Sequence, residues 1–169
     1  WLGEQPFRNA TSTRILMEID DCLRRLRTDR IDIHHVHWPD PLVPIEETAG
    51  AMKQILDAGK IRAVGVSNFS LEQIERFRAE CPLHVVQPPY NLFERGIEEA
   101  LLPHVREQGI ATLTYGALCR GLLSGKMSAG RDFRGDDLRQ DDPKFAEPRF
   151  GQYLEAVGKL DRLAGDMFG

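Results

Sequence analysis

Apolar residues along the first third of the chain change their period twice. From Thr11 to Thr28 they fall at Ile15, Leu16, Ile19, Cys22, Leu23 and Leu26, the spacing of one face of an amphipathic helix. The run Ile31 to Trp38 replaces that period with β-branched residues and is stopped by Pro39 and Pro41, which predicts a strand running into a loop. Ile45, Ala49, Met52, Ile55 and Leu56 restore the helical stripe, and Gly59 follows where a left-handed cap residue is wanted.

The alternation continues. Ile61 to Val66 is a short run suited to a strand buried on both faces, and Ser70 with Gln73 forms a capping box for a helix through Phe77. Leu83 to Gln87 reads as a strand stopped by Pro88 and Pro89. A helix around Ile97, Leu101 and Val105 follows, which Pro103 must start or kink, and Ile110 to Tyr115 is a fourth strand. Connections this long are wasted on hairpins and make parallel β-α-β units, so the fold class is α/β. Residues 1–169 read as one domain. Between Met127 and Phe150 the periodicity fails in favour of Gly, Pro, five basic and six acidic side chains, which predicts a long, mobile, solvated loop. Leu154, Val157, Leu160 and Leu163 return to helical spacing.

Composition narrows the function classes. Lys and Arg number 22 against 26 Asp and Glu, a net charge of −4, and no basic tract interrupts the balance, which argues against nucleic-acid and anionic-membrane partners. Cys22, Cys81 and Cys119 form no C-x-x-C pair, so neither a disulfide framework nor a metal site is indicated, and a reducing, cytoplasmic setting is expected. No run approaches the roughly 18 apolar residues of a membrane span. The first residue is Trp rather than Met, and the expectation is a piece of a longer chain.

In parallel α/β folds the loops leaving the C-terminal strand ends build the ligand site. Here those ends carry His37-Trp38, Ser67-Asn68, Gln87 and Tyr115. An imidazole, two amides, a hydroxyl and an aromatic face would converge on one rim. Alternation puts His35 on the face of His37 and His34 on the other, and both are read as structural. Ser67 and Asn68 suit a helix-capping turn equally well, and Tyr115 suits core packing as well as a platform for a ring. The stretch Gly116 to Lys126 combines glycines with Arg120 and Lys126. It is either a weak anion site or a plain glycine-rich loop, and it carries neither a Walker loop nor a G-x-G-x-x-G fingerprint.

Four ordered strings, LRRLRTDRIDIHHVHWPDP, AGKIRAVGVSNFS, VVQPPYNLFER and TYGALCRGLLSGK, closely resemble the aldo-keto reductases, a family of (β/α)8 barrels that reduce carbonyls with NADPH. The resemblance runs from about Arg8 to the end. It implies a partial barrel of about the fourth to seventh strands, a small carbonyl substrate and NADP(H) as cofactor. It makes His37 the active-site histidine and Trp38 a wall of the substrate pocket. Ser67, Asn68 and Gln87 would hold the nicotinamide carboxamide, with Tyr115 stacked on the ring. Gly116, Ala117, Leu118 and Arg120 would pass along the pyrophosphate, and Lys126 would add a phosphate contact. Where relatives often carry Ser-Pro after the stacking aromatic, this chain has Gly116-Ala117, which keeps a backbone role and removes a side-chain one. The family's catalytic Asp, Tyr and Lys have no counterpart here. The expectation is therefore a reductase as the parent protein and an inactive 169-residue chain alone, with a non-catalytic, reductase-like binding or regulatory subunit as the competing class.

Overall fold

A computed structural model describes residues 7–168. The elements run α1 (Ser12–Leu26), β1 (Ile31–Val36), α2 (Ile45–Asp57), β2 (Ile61–Ser67), α3 (Leu71–Glu80), β3 (Val85–Gln87), α4 (Leu101–Glu107), β4 (Ala111–Thr112) and α5 (Arg149–Phe168). All four strands are parallel, in the order β1-β2-β3-β4, which is the α/β arrangement that the long connections predict. Among the described residues no helix is long and apolar enough to cross a membrane.

Local chemistry sets the element ends. The Thr11 hydroxyl accepts from the Arg14 amide to start α1, and Arg27 ends it in the left-handed region at φ 53°, with Arg24 and Arg25 in the last turn facing the negative end of the dipole. Ser70 and Gln73 form the expected reciprocal capping box at α3. Pro103 sits in the first turn of α4, where its missing N–H interrupts no helical bond.

The described residues form two compact units, the first comprising 7–90 and 95–115, the second 91–94 and 116–168. The first holds the sheet. Val64, Val66 and Val86 face the helices and pack with Ile19, Ala49, Met52, Ile55, Ile74 and Phe77 in one core, while Ile33 and Leu113 on the other face stay 38% and 44% exposed. Parallel strands buried on both faces read as continuous apolar runs; here one face is covered by helices and the other is not.

The second unit has its own cluster. Cys119, Leu122 and Phe150 are buried, with Phe93, Phe133, Phe145 and Tyr153 packed around them. The charged stretch 127–150 therefore supplies aromatic core residues, and Phe133 and Phe145 meet edge to face at 5.2 Å between centroids. α5 is longer than the apolar spacing from Leu154 to Leu163 indicates, because its first turn is anchored by Phe150.

One packing detail on the sheet is unforgiving. His35 and Gly65 are directly paired in the β1–β2 register, and a Cβ on Gly65 would run into the His35 imidazole. Gly65→Ala is expected to destabilise the chain by about 1–3 kcal/mol through overpacking. In a His35→Ala background the same change should cost less than about 0.5 kcal/mol, because the pair is coupled. Urea midpoints of the four proteins test this, and equal costs in both backgrounds would refute the pairing.

Candidate active site at the strand ends

Parallel register sets the height of the strand ends. Val36 pairs with Val66 and Ser67 with Gln87, so one further residue along β1 brings His37 level with Ser67 and Gln87. β4 is a pair of residues because it pairs with the short β3 only at Val85 and Val86, but the chain rejoins the sheet beyond it. The Tyr115 amide donates to the Pro88 carbonyl at 3.1 Å, and the Tyr90 amide donates to the Tyr115 carbonyl at 3.0 Å. That returning bridge puts Tyr115 beside the other three ends, where sequence reading expects a continuous strand from Ile110 to Tyr115.

Side-chain hydrogen bonds then tie the four ends together. Ser67, fully buried, donates its hydroxyl to the Gln87 carbonyl at 2.7 Å. The Asn68 amide nitrogen donates to the His37 carbonyl at 2.9 Å and to Ser67 Oγ at 3.1 Å, while its oxygen accepts from the Tyr115 hydroxyl at 2.7 Å. Asn68 has φ 62°, a left-handed conformation that asparagine tolerates better than most residues, and this turns its amide back over the strand ends. The helix-capping role goes to Ser70 instead. Among the described residues no hydrogen bond reaches the Gln87 side-chain amide, which keeps a donor and an acceptor available.

Trp38 is 41% exposed and Tyr115 40%, so each keeps aromatic surface open to a ligand. The guanidinium of Arg8 lies 4.4 Å from the centre of the Trp38 ring, a cation–π contact that no spacing in the sequence indicates. A cavity of about 240 Å³ opens beside His37 and Trp38 and reaches His34 and Met52, and a second of about 320 Å³ is lined by Trp38, Asn68 and Gln87 above apolar Val66, Val86 and Ile74. His34 lies on the helix side, where burial, and then its neighbour His35, push its pKa down. Burial likewise lowers the pKa of His35, whose Nε2 is buried without a partner among the described residues. Asp40, buried in the loop after His37, accepts from the Ala10 and Leu42 amides and fixes that loop.

The second unit carries the remaining candidates. Gly116 has φ 73°, which L side chains rarely adopt, and its carbonyl accepts from the buried Asn91 amide at 3.0 Å. Gly116, Ala117 and Leu118 are exposed, and so is Lys126. Arg120 is not the unengaged cation that the sequence suggests: its guanidinium donates to the Leu138 carbonyl at 2.9 Å and lies 3.3 Å from Asp142. Lys144 joins Asp142 at 3.1 Å and Glu94 at 3.0 Å. Burial raises the pKa of Glu94 and Asp142, but the Lys144 bonds and their other donors outweigh it, and both carboxyls end below their ordinary values.

What these residues can do is bind a flat, amide-bearing ring and orient a polar oxygen. The Gln87 amide and the Asn68 oxygen match a carboxamide's donors and acceptor, the Tyr115 and Trp38 rings offer stacking surface, and the His37 imidazole is exposed beside them. These features fit a nicotinamide. Among the described residues no group of three His, Cys, Asp or Glu is placed to hold a metal ion.

Known proteins resemble this chain in sequence and fold. A family model described as Aldo/keto reductase family matches residues 4–167. The chain is 60% identical over its full length to aldo-keto reductase YhdN of Bacillus subtilis, covering 51% of that protein. It superposes with a TM-score of 0.90 on the glycerol dehydrogenase AKR11B4 of Gluconobacter oxydans, at 47% identity, with 99% of this chain and 53% of that one covered. An aldo/keto reductase from Klebsiella pneumoniae, solved in complex with NADP and acetate, matches at 27% identity and a TM-score of 0.61 over 88% of this chain and 48% of its own. The chain thus spans about half the length of these relatives.

The depressed carboxylates of the second unit have a pH consequence. A lowered folded-state pKa adds stability that is complete above the unfolded value and is lost as pH falls through the folded one. The Glu94–Lys144–Asp142 group should therefore stabilise the protein fully at neutral pH and release that contribution on acidification below the ordinary carboxylate range. Lys144→Met should lower stability at pH 7 and narrow the gap to the unsubstituted protein as pH falls. Chemical denaturation along a pH series measures it, and a gap independent of pH would contradict the assignment.

Proposed function

The chain belongs to the aldo/keto reductase family and carries a parallel four-stranded α/β segment that spans about half of its (β/α)8-barrel relatives, and from this we propose that it supplies about the fourth to seventh strands of the barrel and that the complete protein reduces an aldehyde or ketone to an alcohol with NADP(H). The observation that carries the reading is the hydrogen-bonded set of strand ends, in which Asn68 joins the His37 carbonyl, Ser67 and the Tyr115 hydroxyl, Ser67 bonds the Gln87 carbonyl, and the His37 imidazole stays exposed. The Klebsiella relative's complex with NADP supports the choice of cofactor.

Each residue's work follows from its position. Bound nicotinamide supplies the hydride. Gln87 and Asn68 hold the ring's carboxamide and so fix which face meets the substrate, and Tyr115 stacks against the ring. Trp38 forms an apolar wall that excludes water, steadied by Arg8. His37 donates a hydrogen bond to the carbonyl oxygen, orienting it and stabilising the negative charge that grows there, while the proton that completes the alcohol would come from the family's catalytic Tyr, which has no counterpart in this chain. Gly116, Ala117 and Leu118 offer backbone amides to the pyrophosphate, with Lys126 as an exposed cation. Arg120 reaches a phosphate by exchanging part of its contact with Asp142. The setting in which this chemistry runs is the cytoplasm.

The test is NADPH and NADH oxidation by the complete protein over a panel of small aldehydes, ketones and sugars. Turnover with NADPH is expected, and His37→Ala should lower kcat on the order of 10²-fold or more while cofactor binding changes little. The 169-residue chain by itself should give no turnover. Full activity of the His37 variant would remove that residue from the mechanism, and a complete protein inert towards every carbonyl would favour the binding-subunit reading.

A further inference from the structure

Asn68 is the most heavily constrained side chain at the strand ends. Its amide nitrogen carries two protons, and both have acceptors: the His37 carbonyl and Ser67 Oγ. Ser67 cannot donate back, because its own proton is committed to the Gln87 carbonyl. Turning the amide over would set Asn68 Oδ1 against the His37 carbonyl oxygen, two acceptors face to face. The nitrogen is thus pinned towards β1, and the oxygen is left pointing at Tyr115, whose hydroxyl donates to it at 2.7 Å. An amide oxygen has a second lone pair. Of the whole Asn68 side chain, only that lone pair remains for a ligand.

We propose that the Tyr115 hydroxyl is a positioning group that holds Asn68 Oδ1 as an acceptor for a ligand N–H, so that the site selects a carboxamide over a ring substituent that has a carbonyl but no N–H. The inference rests on the nicotinamide reading above and deepens it, giving the hydroxyl of Tyr115 a task separate from that of its ring. Residue type supports the distinction. A phenylalanine would stack equally well, but only tyrosine can donate across the 47 residues that separate the pair in sequence. Backbone geometry supports it too. At φ 62° Asn68 holds its side chain where His37, Ser67 and Tyr115 meet it, and these three partners decide where the oxygen points.

Binding to the complete protein tests the idea without turnover, by quenching of tryptophan fluorescence. The probes are NADP+ and its 3-acetylpyridine analogue, which keeps the carbonyl and lacks the N–H. The unsubstituted protein should prefer NADP+. Tyr115→Phe should raise the NADP+ dissociation constant about five- to tenfold, the size of one hydrogen bond, and change that of the analogue less than about twofold. Asn68→Gly keeps the left-handed backbone accessible, and in that background Tyr115→Phe should have less than about a twofold effect on NADP+. A Tyr115→Phe effect equal for both probes, or undiminished in the Asn68→Gly background, would overturn the inference and leave the cofactor reading intact. Failure of the unsubstituted protein to bind either probe would overturn both.

Discussion

Parallel register is the constraint from which the rest of the first unit follows. Ile31 against Ile61, Gly65 against Val85 and Val85 against Ala111 fix the strands with no slip. A one-residue shift would turn Val64 and Val66 out of the helix-covered core and move Ser67 off the rim. Burial of those valines, each worth about 1.5–3 kcal/mol, therefore also levels His37, Ser67 and Gln87. The core's energetics and the site's geometry are one fact seen at two ends of the same strands.

Much of this was legible from the chain itself, for reasons that differ by residue. The capping box at Ser70 is local chemistry, complete within four positions, and sequence displays it directly. The opposite facing of His34 and His35 follows from the pleat alone, and the register agrees with it, pairing His34 with core Val64 and His35 with Gly65. The strand ends could be found because prolines mark them: Pro39, Pro88 and Pro89 cannot donate to a ladder, although the Pro88 carbonyl still accepts from Tyr115.

What stayed hidden depends on partners far apart in sequence. No periodicity pairs Tyr115 with Asn68 or Arg8 with Trp38, because both contacts are made by chain segments that the fold alone brings together. β4 shrinks to Ala111–Thr112, the residues that pair with the short β3, and apolar content does not reveal that pairing. In 127–150 the charge density masks Phe133, Phe145 and Phe150, whose irregular spacing matches neither 3.6 nor 2. Arg120 looks like a spare cation until Asp142, 22 positions on, is found beside it.

The second unit is discontinuous: it borrows Asn91–Glu94 from the middle of the first, and then the chain returns to build α4 and β4 before Gly116 resumes it. Seen from the ribosome, this is a matter of waiting. Glu94 emerges 50 residues ahead of its partner Lys144, and at about 5–20 residues per second the carboxylate is without its lysine for roughly 2.5–10 s of synthesis. Asn91 is better provided for, since its side-chain oxygen accepts from the Phe93 and Glu94 amides in a turn that closes as soon as it is made. That short turn preserves the shape of the borrowed segment until the rest of its unit exists.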